Sequence, residues 1–187
     1  LPELVDKFSM SRVHKAGAKF DFEKAKWYNH EWIKKINIDT LFPVIENIFQ
    51  QKGITIPSKE KALKIFDLVK DRCTLLTDFA EQTIFFFERP EITGLDSIKP
   101  KWTAQKRNFF IELIRSYELI PYWENVALEN TFKEIAAANT IKPGELMLPF
   151  RVMLVGGKSG PGIFHIAEIL GHEETLTRIR LNLESLE

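Results

Sequence analysis

Eight apolar residues set the pattern that most limits this chain. Ala62, Phe66, Val69, Cys73, Leu76, Ala80, Ile84 and Phe87 recur at steps of three and four, the spacing of one face of an α-helix. Ser58 stands where an N-cap belongs, and Glu60 follows in the first turn, where its charge suits the helix dipole. Pro90 ends the pattern. The spacing therefore predicts one helix running from Ser58 to the residues before Pro90. The same rhythm returns in Phe109, Phe110, Leu113, Ile114 and Tyr117. Pro121 suits the first turn of a following helix carrying Leu128, Phe132 and Ile135. Residues 145–155 read as a further helix with Gly156-Gly157 as its stop. Ile163 to Leu170 forms a short helix closed by Gly171, and Leu176, Ile179, Leu183 and Leu186 mark the last. Residues 88–102 hold two prolines and a glycine, and read as a linker. No stretch alternates as a strand does, and no segment repeats. The expected fold is all-α, in two consecutive small helical units.

Composition supplies both the core and the exclusions. Of 187 residues, 44% are hydrophobic and 28% charged, which excludes a disordered chain, and fifteen Phe with four Trp can fill a core. The apolar run Ile84-Phe85-Phe86-Phe87 stops at Glu88, far short of the roughly 18 residues of a membrane span. The single Cys73 excludes an intramolecular disulfide and fits a reducing cytoplasm. The chain begins at Leu1 rather than Met and is expected to be a piece of a larger protein. Lys plus Arg equals Asp plus Glu at 26 each, so overall charge points to neither nucleic acid nor membrane. Residues 1–36 nevertheless hold eight basic against five acidic side chains. That local excess reads as a solvated face or as a phosphate-contacting patch.

Motifs for chemistry are sparse. Gly156-Gly157-Lys158-Ser159-Gly160 resembles a phosphate-binding loop but has Val152 where the motif needs its first glycine. It reads as an interhelical turn whose amides could touch a phosphate. His14, His30, His165 and His172 form no metal-ligand spacing, and no acid–base pair stands out. Two arginines do. Arg72 falls three residues after Val69 and four before Leu76; Arg151 falls three after Leu148 and four before Val155. Each lies at the edge of an apolar stripe, where a guanidinium costs desolvation unless paired. Such a group serves either a structural ion pair or a ligand, since its planar fork matches a base edge or a phosphate. Ile163 and Phe164 are core residues, or else apolar side chains on which an unpaired base could stack.

Three segments carry a family resemblance. Phe8-Ser9-Met10-Ser11-Arg12-Val13-His14-Lys15-Ala16-Gly17-Ala18-Lys19-Phe20 and the residues on to Asn29 resemble the segment after the catalytic core of bacterial glutamate–tRNA ligases. Leu148 to Gly156, Gly160 to Phe164 and Ile169 to Ile179 resemble the C-terminal signature of that family, and Asp71 to Leu75 its central helical element. The two class I active-site signatures of the family are absent from this stretch. The resemblance implies an α-helical, non-catalytic C-terminal portion. Residues 1–36 would finish a stem-contact region; residues 37–90 and 91–187 would be two anticodon-binding units. It further implies a glutamate-specific tRNA as partner, a cytoplasmic and monomeric parent, and no cofactor in this stretch, with ATP and Mg serving the parent enzyme. Arg72 matches the position that reads the third anticodon base, and an arginine there suits discrimination against glutamine tRNA. Arg151 and Ile163 match positions lining the site for the other two bases. The family often has leucine where this chain has Ile163. Arg12, Lys15 and Lys19 would face the stem backbone, which carries no sequence information. The competing expectation is a helical protein-interaction module without RNA binding, whose two arginines would pair with internal carboxylates.

Overall fold

The computed structural model describes residues 2–12, 19–91 and 94–186. These are helical throughout, with no strand among the described residues. The order is α1 (Pro2–Lys7), α2 (Phe22–Lys35), α3 (Ile38–Gln51), α4 (Lys59–Val69) and α5 (Asp78–Phe87). Then follow α6 (Ala104–Glu118), α7 (Asn125–Ala138), α8 (Pro143–Val155), α9 (Ile163–Leu170) and α10 (His172–Glu184). Side-chain caps explain several of the starts. Asp21 accepts from the Lys24 amide at 3.0 Å, Asn37 from Asp39 at 2.9 Å, Ser58 from Lys61 at 3.3 Å and Thr103 from Lys106 at 3.2 Å. Each thereby satisfies an amide the helix leaves without a partner.

The long helix expected after Ser58 is two helices. Helix α4 ends at Val69 and runs into the 3-10 turn Lys70–Arg72; Cys73 then adopts an extended conformation. No proline or glycine marks the break. Its cause is the Asp78 carboxylate, whose Oδ2 accepts from the amides of Thr74 and Leu75, both at 2.8 Å. That carboxylate competes with the helical ladder for these amides. Cys73 stays fully buried and Leu76 partly so, which keeps the apolar spacing in step across the break. Beyond it the face turns: Phe79, Phe85 and Phe86 are buried while Ile84 is 39% exposed.

Two other expectations are corrected. Pro121 lies in the loop before α7, which begins only at Asn125. That loop is pinned by the Trp123 indole, whose Nε1–H donates to the Ala167 carbonyl of α9 at 2.9 Å. Residues 94–101 are not a free linker but two 3-10 turns, Gly94–Ser97 and Lys99–Lys101. Leu95 and Ile98 are buried against Val152 of α8. A side chain at Gly94 would run into the Gly156 carbonyl, so only glycine permits this approach.

The core is aromatic and continuous, and it includes side chains from α2 through α10. Phe66 and Phe79 meet edge to face with centroids 5.6 Å apart, and Phe109 and Phe132 do so at 5.0 Å. These are the favoured geometries for aromatic pairs. A polar tie joins the two halves. Arg89, just past α5, donates from Nε and Nη2 to the two Glu174 oxygens on α10 at 3.0 and 2.6 Å. Glu174 also accepts from Arg178 Nε at 2.7 Å. Arg178 is only 3% exposed, and its Nη1 donates to the Leu154 carbonyl of α8.

Two outcomes follow from this packing. Phe66→Ala is expected to cost about 3–5 kcal/mol in urea unfolding, whereas Ile84→Ala, on the same apparent stripe, is expected to cost about 0.5 kcal/mol or less. The second concerns acid. The Arg89 hydrogen bond, helped by Arg178 and opposed by burial, lowers the Glu174 carboxyl from 4.5 to about 2. A carboxylate lowered on folding contributes stability that is complete above its unfolded value and is lost as pH falls towards its folded one. The stability gap between the chain and Glu174→Gln is therefore expected to be full at neutral pH. It should shrink between pH 4.5 and about 2, as read by urea unfolding at each pH.

Candidate nucleic-acid interface

Arg72 closes the 3-10 turn after α4 and is exposed. Its Nε donates to Gln82 Oε1 of α5 at 3.4 Å, a long bond that leaves the guanidinium free to be recruited elsewhere. The turn itself is clamped from α2. The His30 Nδ1–H donates to the Cys73 carbonyl at 2.9 Å, and the Asn29 amide donates to the Thr74 carbonyl. Lys70 Nζ reaches back to the Ile36 carbonyl. An exposed, lightly held side chain thus sits on a hydrogen-bonded mount.

Arg151 projects from α8 and is half-buried. Its Nη1 donates to the Pro161 carbonyl at 2.8 Å, which ties it to the loop leading into α9. Gly160 makes room for it: a Cβ there would stand 3.0 Å from Arg151 Nη1, and the φ of 153° is one that L side chains rarely adopt. Burial pulls the Arg151 guanidinium below the ordinary arginine value, and the charge of Arg72 adds to it. The two guanidinium groups are therefore within electrostatic reach of each other. Neither forms an ion pair with a carboxylate among the described residues; their partners are an amide oxygen and a main-chain carbonyl. The carboxylate pairing that an interaction module would need is not what these residues show.

The other expected site residues fall differently. Ile163 is 4% exposed and Phe164 7%. Phe164 packs edge to face on Phe132 at 5.4 Å and lies 6.1 Å from Phe150. Of the two readings open in the sequence, burial gives the core one: both side chains belong to the core at the start of α9. Arg12 and Lys19 are exposed near the N-terminus. Lys15 lies outside the described residues.

A groove of about 700 Å³ separates α4 from α9. Lys61, Lys64 and Leu68 line one wall, and His165, Glu168 and Ile169 the other. No hydrogen bond or ion pair among the described residues joins α4 to α9. Sequence reasoning missed this wall, though its signal was available: Lys61, Lys64 and Leu68 follow one another at helical steps beside the buried stripe. His165 has its own partner in Asn125, whose amide nitrogen lies 2.9 Å from His165 Nδ1.

The break that carries Arg72 also hides the one thiol. Burial, and then the charge of Asp78, push Cys73 up to about 12. Alkylation at pH 8 is therefore expected to be slow in the folded chain and fast in urea. Asn29→Ala, which removes a clamp on the break, is expected to speed it about tenfold, as followed by mass spectrometry.

Comparison with known proteins places this geometry. Residues 22–183 match the family model described as an anticodon binding domain. The chain is 39% identical over 186 residues to a glutamate–tRNA ligase of Flavobacterium johnsoniae and 37% identical over 191 residues to that of Phocaeicola vulgatus. All of this chain is covered in each case, against 37% of the relative, so the chain spans little more than a third of their length. A crystal structure of a glutamate tRNA ligase from Elizabethkingia meningosepticum superposes with a TM-score of 0.90 at 31% identity. It covers 100% of this chain and 37% of that one. The all-helical architecture, the whole-chain superposition and the match over α2 to α10 agree, and the chain belongs to the anticodon binding domain family.

Proposed function

We propose that this chain is the C-terminal portion of a glutamate–tRNA ligase and holds the anticodon of a glutamate-specific tRNA. The reaction that joins glutamate to the tRNA 3′ end, with ATP and Mg, belongs to the catalytic portion outside this chain. Residues 1–36 would complete the stem-contact region, with Arg12, Lys15 and Lys19 on backbone phosphates. Residues 37–90 and 91–187 would form the two anticodon-binding units. The docking of Leu95 and Ile98 on Val152 supports counting the connector with the second unit. The parent would act in the cytoplasm as a monomer.

The observation that carries this reading is the pair of guanidinium groups, one from each unit, with Arg151 in the field of Arg72 and neither ion-paired with a carboxylate among the described residues. Unpaired anticodon bases can be splayed out and read on their edges. A guanidinium fork meets the paired acceptors of a guanine edge, or one acceptor of another base, and charge alone does not select among bases. Arg72, exposed and lightly held, is the reader of the third base. Arg151 keeps one N–H on Pro161 and has further donors for the other two. Ile163 and Phe164 act from below, by fixing the loop that Arg151 grips.

The test is tRNA binding by the full-length ligase that contains this chain. Arg72→Ala and Arg151→Ala are each expected to weaken binding by about 1–3 kcal/mol, and to relax discrimination at the base each one reads. Unchanged affinity in both variants, with the helical circular-dichroism signal intact, removes them from the site.

A further inference from the structure

We infer that Arg89 and Glu174, which touch no base, are positioning residues for anticodon reading: their ion pair sets the width of the groove between α4 and α9, a role that rests on the anticodon reading above.

The argument follows one line of contacts. Arg72 leans on Gln82 of α5, and the Asp78 carboxylate of the same helix holds the turn behind it. Helix α5 ends at Phe87, two residues before Arg89. Arg89 forks onto Glu174 through two hydrogen bonds, the geometry that fixes direction as well as distance. Glu174 holds Arg178, and Arg178 reaches the Leu154 carbonyl, one turn beyond Arg151 on α8. The supports of both guanidinium groups therefore meet at Glu174. The groove between α4 and α9, which neither guanidinium lines, has no hydrogen bond or ion pair across it from α4 to α9 among the described residues, so its width is set from elsewhere. The neighbouring connector adds close packing, with Gly94 against Gly156 and Leu95 against Val152. These contacts resist separation of the halves. The Arg89 fork adds an angular restraint, because a bidentate pair tolerates little rotation.

Two readouts in the full-length ligase test this. The first is the ratio of affinities for the glutamate tRNA and for a transcript with the third anticodon base replaced. Arg89→Ala is expected to lower that ratio roughly three- to thirtyfold, and Arg89→Lys, which keeps the charge but not the fork, to fall between. The second is the distance between spin labels placed by Lys61→Cys and His165→Cys, one on each wall of the groove, with other accessible cysteines replaced; the buried Cys73 stays unlabelled. Arg89→Ala is expected to broaden or shift that distance without tRNA present. An unchanged ratio, or an unchanged distance distribution, overturns the inference. Should Arg89→Ala fail to fold, Arg89→Lys gives the same two readings. Arg72→Ala serves as the control: if it too leaves the ratio untouched, the base reading itself fails, and the label distance shows separately whether Arg89 controls the groove.

Discussion

The structure is organised around a charge that has been taken partly out of water without being given an opposite charge. Arg151 is half-buried, stands in the field of Arg72, and rests on a main-chain carbonyl. A carbonyl can hold a guanidinium in place, yet it does not neutralise it. The charge of Arg72 adds to the cost of keeping Arg151 partly out of water. The aromatic core around Phe132 and Phe150 stabilises the arrangement, since it anchors α8 and α9 firmly enough to hold the loop between them. Gly160 completes the condition, because a Cβ there would crowd the guanidinium and the φ of 153° suits glycine.

Much of this was legible in the residues, and the failures have physical causes. Helix type and order came through because the aromatic and aliphatic spacing follows 3.6 residues per turn over long stretches. The break at Cys73 did not, because the apolar steps stay in phase across it and its cause is a single carboxylate acting backwards on two amides. Pro121 fits a first helical turn in principle, but the loop is set instead by the Trp123 indole reaching α9. The connector looked free because prolines and glycine dominate its composition, whereas Leu95 and Ile98 decide where it docks. Arg72 and Arg151 were visible as cations at a core edge. That the charge of one acts on the other is a tertiary fact no spacing encodes. Ile163 and Phe164 illustrate the reverse: apolar residues beside a site look alike in sequence whether they meet the ligand or the core.

Helix α2 links the N-terminal part of the chain to the turn that carries Arg72. Its Asn29 and His30 grip the carbonyls just after Arg72. One face of the same helix leaves Trp27, Tyr28 and Trp32 well exposed. The helix thus holds the turn that carries Arg72 on one side and presents aromatic surface to solvent on the other.

The interruption between α4 and α5 has a consequence for how such a site tolerates change. In an unbroken helix, one inserted residue turns everything beyond it by about 100°, and a reader mounted mid-helix would be swung away by an alteration two turns distant. Here the short extended stretch at Cys73 uncouples the two screws. Length variation in α5 beyond Asp78 reaches Arg72 through the Gln82 contact, while the mount keeps its bearing from Asp78 and from α2.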